Sequence, residues 1–424
     1  MTVVAARTES VAWWREPTKE QWTAWWAAWL GWTLDSFDFT IFLLIMLPIS
    51  QEFGVPLTAV TAVFAITLWL RLLGATASGW LADRVGRKAP LMISILWYSI
   101  CNFIAGFSPN FAFLFFFRAM LGIGMGAEWP AGASLAMESW PARSRGLMSS
   151  VLQGSWGIGF LLSSAVYGLL FDHIGWRGML WIGVLPALVV LWVRRYVKEP
   201  EVWLENRRKQ QEMRREVRLP LIAIFKPGML ANTLTACWWM ASGFVVYYSI
   251  FALFATHLQK DLDLSPGLVS VPLMISNAGT FVASFLWGWV ADRFGRRWAM
   301  IIPALVGLAL APVYLLSHDY WTIMIGFSLQ GFFAGAIYGQ NPGYLSERFP
   351  TEVRATAAGF CYHQGAIFGG AVAPVLSYIA TAYGVGFGVS MLVGTMAGLV
   401  SFCLALLFGP ETKGKVLVAD LAIT

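Results

Sequence analysis

Twelve long apolar segments alternate along the chain with short stretches that hold charged residues, Gly and Pro. A helix needs roughly 20 apolar residues to cross a bilayer, and each segment is long enough to do so. The pattern therefore predicts an all-α membrane protein with twelve transmembrane helices. We place the spans at residues 22–50, 57–82, 90–107, 110–138, 143–170, 175–197, 229–256, 266–292, 298–317, 320–347, 354–380 and 385–409.

A ten-residue block occurs twice, 209 positions apart. Residues 79–88 read GWLADRVGRK, and residues 288–297 read GWVADRFGRR. Parallel repeats in a hydrophobic chain are typical of transporters built from two six-helix halves. We predict halves at 20–197 and 228–410, joined by a linker at 198–227. Two further polar pairs obey the same offset: Glu138 with Glu347, and Arg145 with Arg354.

Composition supports the membrane location and suggests an orientation. The chain is 58% hydrophobic and only 12% charged, and we place all but four of its 29 Lys and Arg on one side of the membrane. The positive-inside rule then puts both termini in the cytoplasm. The net charge of +6 therefore reports topology and does not indicate nucleic-acid binding. We expect a monomer in the plasma membrane, which in a bacterium is the inner membrane, with the first span retained.

The linker carries mixed charge at helical spacing, which predicts an amphipathic cytoplasmic helix. Such a helix either rests on anionic lipid or docks a protein partner, and the sequence favours the lipid.

Two motifs resemble a known family. Residues 79–88 resemble the signature between helices two and three of the major facilitator superfamily. Residues 118–130 fit its fourth-helix pattern, Arg-x3-Gly-x-Gly-x-Gly-x3-Pro. Residues 34–38 and 124–129, together with Arg71, further resemble the sialate:proton symporter branch and neighbouring aromatic-acid and metabolite:proton symporters.

The resemblance implies the major facilitator fold, two pseudo-symmetric six-helix bundles. It also implies a secondary active transporter that takes up a small organic acid by proton symport through alternating access. The acid would be sialic acid or a monocarboxylate such as lactate or pyruvate. However, residues 231–256 lack the polar His/Gln/Asp signature of the fungal monocarboxylate carriers in that branch. An aromatic-acid or other metabolite transporter therefore remains an alternative, as does a uniporter or antiporter.

Each copy of the block holds residues suited to a conformational latch. A glycine lets two helices approach closely, and an aspartate at a helix end can pair with Arg or accept hydrogen bonds from a helix N-terminus. A purely topogenic role for the basic residues is the alternative. The predicted latch residues are Gly79, Asp83, Arg84, Gly86 and Arg87, with their repeat partners Gly288, Asp292, Arg293, Gly295 and Arg296.

Five ionisable residues stand out inside the spans: Asp35, Asp38, Arg71, Arg118 and Glu128. A charge at mid-bilayer costs at least about 2.5–3.5 kcal/mol, so such residues are functional candidates. Asp35 and Asp38 share a helix face, and neighbouring carboxylates favour a proton on one of them. We predict that Asp35, Asp38 and Glu128 carry the coupling proton. Ion pairs that only hold helices together are the alternative.

An anionic substrate needs a fixed cation, and a guanidinium grips a carboxylate through two bonds. Arg71 and Arg118 are both available, and the sequence does not rank them. The other predicted substrate-binding residues are neutral and lie in the second half: Asn277, Tyr247, Tyr338, Gln340, Asn341, His363 and Gln364. His363 either titrates near neutral pH or packs as a hydrogen-bonded side chain, and the tyrosines line the cavity or the core.

Other classes of protein fit less well. A channel needs rings of like groups around a pore, and an enzyme needs a nucleophile–base pair or a metal cluster. The sequence offers neither pattern, and its four cysteines lack paired spacing, so we predict no enzyme and no metal site. Glycines 122, 124 and 126 predict a helix-packing face, because no strand precedes them as in a nucleotide loop. We expect no cofactor besides the coupling proton, and as partners a small organic anion and membrane lipid.

Overall fold

The computed structural model describes residues 12–419 except 216, 218 and 265, and the regular structure of this part of the chain is helical. The helices are α1 (Lys19–Phe53), α2 (Leu57–Val85), α3 (Lys88–Ala105), α4 (Phe111–Ser139), α5 (Arg145–Ile182), α6 (Pro186–Tyr196), α7 (Glu201–Glu212), α8 (Pro220–Ala223), α9 (Pro227–Phe251), α10 (Phe254–Lys260), α11 (Pro266–Phe294), α12 (Arg296–Leu315), α13 (Tyr320–Gln330), α14 (Asn341–Arg348), α15 (Arg354–Ala382) and α16 (Gly386–Phe408).

Ten helical segments of the described residues are long and apolar enough to cross a membrane. The two remaining predicted spans, 57–82 and 143–170, are also helical and correspond to α2 and the first part of α5. The predicted break between spans five and six is a kink inside α5, where Gly175 has a φ of 62°. The predicted all-α membrane fold is confirmed.

The two halves are related by the 209-residue offset. Helix α2 shifted by 209 positions gives α11, and the start of α5 shifted likewise gives α15. Between the halves, α2 packs against α15 and α5 packs against α11. Each contact is the repeat image of the other, as a pseudo-twofold axis between two bundles requires.

Glycines in α4 determine how closely this helix approaches α2. A Cβ on Gly122 would overlap the Thr67 carbonyl oxygen, and one on Gly126 would overlap the Arg71 carbonyl oxygen. The predicted packing face therefore lies against α2, and it brings α4 beside the backbone that carries Arg71.

The equivalent of α4 in the second half is not a continuous α-helix. After α13 ends, Gly331–Gly335 form a π-helical turn and Ala336–Gln340 a 3₁₀ turn before α14 begins. A Cβ on Gly331 would overlap the Ser276 hydroxyl of α11, so this stretch also packs closely. Non-α turns inside long helices are frequent at functional sites, and this one faces the central cavity described below.

The linker and the C-terminal tail cover the face that carries residues 83–88 and 292–297, here called the block face. In α7, the buried Trp203 donates its indole N–H to the Asp83 carbonyl oxygen at 3.3 Å. The tail, residues 409–419, crosses both halves: its carbonyl oxygens at Lys415 and Val418 accept hydrogen bonds from Arg145 and Thr351, each at 2.9 Å. The predicted linker helix thus packs on protein through one side, and the described tail lies at the block face.

Candidate functional site

A central cavity with about 1060 Å³ of empty space lies between the two halves. Ten of its 24 lining residues are Phe, Trp or Tyr. Arg71 is the charged residue of the lining. The substrate-binding residues predicted from the sequence divide into two groups. Those that line the cavity are Arg71, Tyr247, Asn277, Tyr338 and His363. Arg118, Gln340, Asn341 and Gln364 are buried or partly buried elsewhere.

Arg71 is held loosely for a buried cation. Its Nη2 donates to Asp35 Oδ1 at 3.3 Å and contacts the Met125 sulfur at 3.1 Å. Its guanidinium carbon lies 4.7 Å from the centre of the Phe39 ring. Arg71 Nε and Asp35 Oδ2 have no hydrogen-bond partner among the described residues, although both side chains are at most 5% exposed. This ion pair therefore uses only one of the two bonds that a guanidinium and a carboxylate can share.

Arg118 occupies a separate buried cluster. Its Nη1 donates to Asn102 Oδ1 at 3.0 Å, and its guanidinium lies 4.1 Å from the centre of the Phe42 ring. Asp38 is fully buried, and neither of its carboxylate oxygens has a hydrogen-bond partner within the part of the chain described. Of the two candidate cations, only Arg71 faces the central cavity.

Three aromatic side chains form a floor beneath the cavity, here called the aromatic floor: Trp32, Trp129 and Tyr362. Trp129 stacks on Tyr362 with ring centres 4.0 Å apart, and Trp32 meets Tyr362 edge to face with ring centres 6.4 Å apart. Gln153 donates to the Tyr362 hydroxyl at 3.4 Å. Because Tyr362 belongs to the second half and the other three residues to the first, the aromatic floor joins the halves.

Glu128 lies behind this floor. It lines a small second cavity together with Trp32, Trp129 and Gly132. It is 1% exposed, and neither carboxylate oxygen has a hydrogen-bond partner among the described residues. Trp32 lines both cavities, and Trp129 stacks on Tyr362 of the central cavity, so the two indoles lie between Glu128 and the central cavity.

The remaining predicted substrate residues have structural partners. Gln364 donates to the Cys237 carbonyl oxygen at 2.8 Å, and Gln340 donates to the Ser150 hydroxyl at 2.6 Å. Asn341 is buried where α14 begins. His363 Nδ1 lies 3.1 Å from the Gly359 carbonyl oxygen of its own helix. A carbonyl oxygen can only accept, so Nδ1 carries the hydrogen, and in the neutral ring Nε2 is an acceptor.

At the block face, Asp83 and Asp292 each reach into the opposite half. Asp83 accepts hydrogen bonds from the backbone N–H groups of Ala355 at 3.0 Å and Thr356 at 2.9 Å, at the N-terminus of α15. Asp292 makes the equivalent bonds, both at 2.8 Å, with the second and third residues of α5. A carboxylate at a helix N-terminus meets free N–H donors and the positive end of the helix dipole.

Two glutamates extend these contacts into ion-pair networks. Glu138 accepts from Arg87 at 2.7 Å within the first half and from Arg354 of the second half at 2.5 Å. The repeat image of this network shares its geometry, with Glu347 bonded to Arg296 at 2.9 Å and to Arg145 at 3.3 Å. Four carboxylates therefore hold the two halves together at the block face.

The glycines and the remaining arginines of the two blocks have distinct positions. A Cβ on Gly79 would lie 2.6 Å from Thr356 Cα, and one on Gly288 would lie 2.7 Å from Leu147 Cα. Gly86 and Gly295 have φ angles of 110° and 113°, which favour glycine. By contrast, Arg84 and Arg293 are exposed, and each covers a tryptophan of its own helix. Those two arginines therefore stand outside the networks.

A carboxylate outside the spans caps each block. Glu199 accepts hydrogen bonds from the backbone N–H groups of Arg87 at 2.7 Å and Lys88 at 2.9 Å. Burial raises the pKa of Glu199, and these two N–H donors oppose the shift. Glu411 makes the equivalent bonds at the start of α12.

Several of these residues were not predicted from the sequence as part of the site. Glu138, Glu347, Arg145 and Arg354 obey the repeat offset, and that signal marked them without assigning a role. The aromatic floor had no sequence signal, because a tryptophan in a span is equally compatible with lipid and with a cavity.

Two bundles related by a pseudo-twofold axis, with a cavity between them and a duplicated ion-pair network on one face, are the architecture of a secondary transporter. Comparison with known families agrees with this class. Residues 28–276 and 240–420 match the Major Facilitator Superfamily, and the chain belongs to that superfamily. The predicted resemblance to its sialate and organic-acid branch is confirmed by the relatives that follow.

The chain is 29% identical to the sialic acid transporter NanX of Escherichia coli K12, over 96% of this chain and 98% of the relative. It is 30% identical to the inner membrane metabolite transport protein YhjE of the same organism, over 91% of this chain and 93% of the relative. It is 29% identical to a probable 4-methylmuconolactone transporter of Cupriavidus pinatubonensis, over 95% and 94%.

Solved structures share the fold. The proton:xylose symporter XylE superimposes with a TM-score of 0.74 at 19% identity, covering 94% of this chain and 98% of that one. The Escherichia coli fucose:proton symporter FucP gives a TM-score of 0.74 at 13% identity, covering 92% and 99%. The protein is therefore an integral membrane secondary transporter of small metabolites, and not an enzyme.

Proposed function

We propose that this transporter takes up a small organic anion together with a proton. The observation that carries the proposal is the state of Arg71: it is the ionised residue of the cavity lining, and one oxygen of a buried carboxylate holds it. A monocarboxylate or sialic acid would place its carboxylate on the free side of this guanidinium. Relatives named for sialic acid and for niacin support an organic acid as the substrate.

Competition for Arg71 supplies the coupling. A substrate carboxylate that forms two parallel bonds with the guanidinium replaces its single bond to Asp35. An anionic Asp35 would then be left buried without its partner, which is costly. Binding of a proton to Asp35 removes that cost. Substrate and proton therefore favour each other's binding, which is the linkage that symport requires.

Asp38 and Glu128 are the further proton carriers of this proposal. Both are buried with no hydrogen-bond partner among the described residues, so their neutral forms avoid the cost of an isolated buried charge. Glu128 lies on the far side of the aromatic floor from the substrate. When the block face opens and the floor separates, Glu128 becomes the acid through which the proton leaves.

The positive-inside rule assigns the block face to the cytoplasm. With the block face closed by these contacts, the cavity is then shut off from the cytoplasm. Breaking the four carboxylate links between the halves would open the cytoplasmic side and release substrate and proton there.

Proteoliposomes with an imposed pH gradient test this proposal. The substrate probe is the organic acid that stabilises the purified protein most in a thermal-shift panel. Asp35→Asn and Glu128→Gln should abolish uphill accumulation above that of protein-free vesicles, yet spare counterflow exchange, which needs no net proton movement. Asp172→Asn, at an exposed acid, is the matched control and should behave like wild type.

Loss of both accumulation and exchange, with normal membrane insertion, would assign the residue to structure or substrate binding. Accumulation by wild type that is independent of the pH gradient would instead favour uniport or antiport.

A further inference from the structure

We infer that the cavity selects an aromatic monocarboxylate that carries one hydrogen-bond donor on its ring, rather than a polyhydroxylated acid or a small aliphatic one. The inference rests on the proposed function, because it requires the substrate carboxylate to lie on Arg71.

The first support is the surface that surrounds the cation. The Arg71 guanidinium carbon is 4.7 Å from the centre of the Phe39 ring and 5.9 Å from that of Trp156. A carboxylate on Arg71 therefore carries the rest of its molecule among aromatic faces. Across the cavity, Tyr247 meets Tyr338 edge to face with ring centres 5.8 Å apart. Flat ligands gain both buried area and ring–ring contact in such a site.

The second support is that three hydroxyl groups of the lining already donate to backbone carbonyl oxygens. Thr280 donates to the Gly331 carbonyl oxygen at 2.8 Å, Ser284 to that of Phe281 at 2.6 Å, and Tyr338 to that of Gly243 at 2.6 Å. Each of these three hydroxyls can then only accept, and ten of the 24 lining residues are aromatic, so a sugar acid would bury several hydroxyls with few partners. A buried hydroxyl without a hydrogen bond costs affinity. The cavity therefore disfavours polyols.

The third support is the acceptor at His363. The His363 Nδ1–H group donates to the Gly359 carbonyl oxygen at 3.1 Å. Nε2 is consequently an acceptor, and it has no partner among the described residues although the side chain is only 1% exposed. His363 lines the same cavity as Arg71. A ring hydroxyl or ring N–H of the ligand would satisfy this nitrogen.

Calorimetric titration of the purified protein with matched acids tests the inference. Benzoate should bind, and cyclohexanecarboxylate, which has a saturated ring on the same carboxylate, should bind roughly three- to tenfold more weakly, because ring–ring contact is lost. Among the hydroxybenzoates, at least one positional isomer should bind roughly two- to tenfold more tightly than benzoate. Benzamide, lactate and N-acetylneuraminate should bind more weakly than benzoate.

Two sets of variants make the test specific. Trp156→Leu should erase the preference for benzoate over cyclohexanecarboxylate, whereas Trp156→Phe should keep it. His363→Leu should erase the hydroxyl advantage, and a melting temperature close to that of wild type shows that the variant is folded.

The outcomes separate the inference from the proposed function. If lactate or N-acetylneuraminate binds best and enters vesicles with a proton, the aromatic inference is overturned and proton symport of an organic anion stands. An unchanged hydroxyl advantage in His363→Leu overturns the role of that nitrogen. If the folded protein binds no carboxylate, both fall.

Discussion

Replacing Asp83 by Asn should open the block face. In the closed state, the two oxygens of Asp83 accept from the first amides of α15 at 3.0 and 2.9 Å. An Asn can still accept one of these bonds, but its NH2 group faces the other N–H donor. Hydrogen bonds to charged groups contribute about 1.5–3 kcal/mol, and the lost interaction with the helix dipole adds about 0.3–1 kcal/mol.

The closed state should therefore lose about 2–4 kcal/mol relative to the open state, a shift of roughly thirty- to several-hundredfold in the population ratio. The bond between Asp83 and Arg87 does not enter this difference, because both residues belong to the first half. Asp292→Asn should have an effect of similar size, since its two bonds to α5 are equivalent.

Pulsed electron–electron spin resonance can measure the effect in detergent or nanodiscs. Nitroxides at Val85 and Phe294, exposed residues at the ends of α2 and α11, report the separation of the halves in a background without native cysteines. Wild type should show a short distance, and Asp83→Asn should add a longer one. Arg84→Gln is the matched control, because Arg84 is exposed and lies over Trp80 outside the network. If Asp83→Asn gave the same distances as Arg84→Gln, the latch role of the carboxylate would be refuted.

Three further changes have defined outcomes. Arg71→Lys should lower substrate affinity by roughly ten- to a hundredfold, because an ammonium cannot make two parallel bonds to a carboxylate. Arg118→Lys is the control: its site lies away from the cavity, so the affinity measured by calorimetry should stay near that of wild type. Equal losses of affinity in the two variants would contradict the assignment of Arg71 as the substrate cation. Deleting residues 413–424 removes the two carbonyl acceptors through which the tail bonds to both halves. The same spin-label pair should then show more of the long distance. An unchanged distance distribution would show that the tail does not hold the halves together. Gly79→Ala puts a Cβ 2.6 Å from Thr356 Cα and should also increase the share of the long spin-label distance. If the short distance stayed dominant, α2 and α15 would be able to separate slightly without loss of stability.

The fold could be predicted because two independent signals agreed. Apolar length fixed the helices, and the 209-residue repeat fixed their grouping into halves. The latch aspartates were visible for the same reason, since Asp83 and Asp292 end equivalent helices. Their acceptor role at helix N-termini required the structure, because the two partners lie more than 140 positions away in sequence.

The cavity was harder to predict. Arg71 and Arg118 both lie on apolar helices, and the spacing along a helix does not show which side faces the neighbouring bundle. Their positions follow from packing: Gly126 places α4 against the backbone of Arg71, while Arg118 turns to Asn102 of α3. The non-α stretch that forms one wall, Gly331–Gln340, carries no period that distinguishes it from an ordinary helix.

The central claim is that the substrate anion and a proton enter together. It is tested most directly by measuring the internal pH of proteoliposomes while the best-binding acid is added outside, with the membrane potential clamped at zero. Protein-free vesicles give the baseline, because weak acids also cross bilayers in their neutral form. We predict acidification beyond that baseline in wild type and its loss in Glu128→Gln, which should still exchange substrate. Substrate entry without extra acidification, or with alkalinisation, would contradict proton symport.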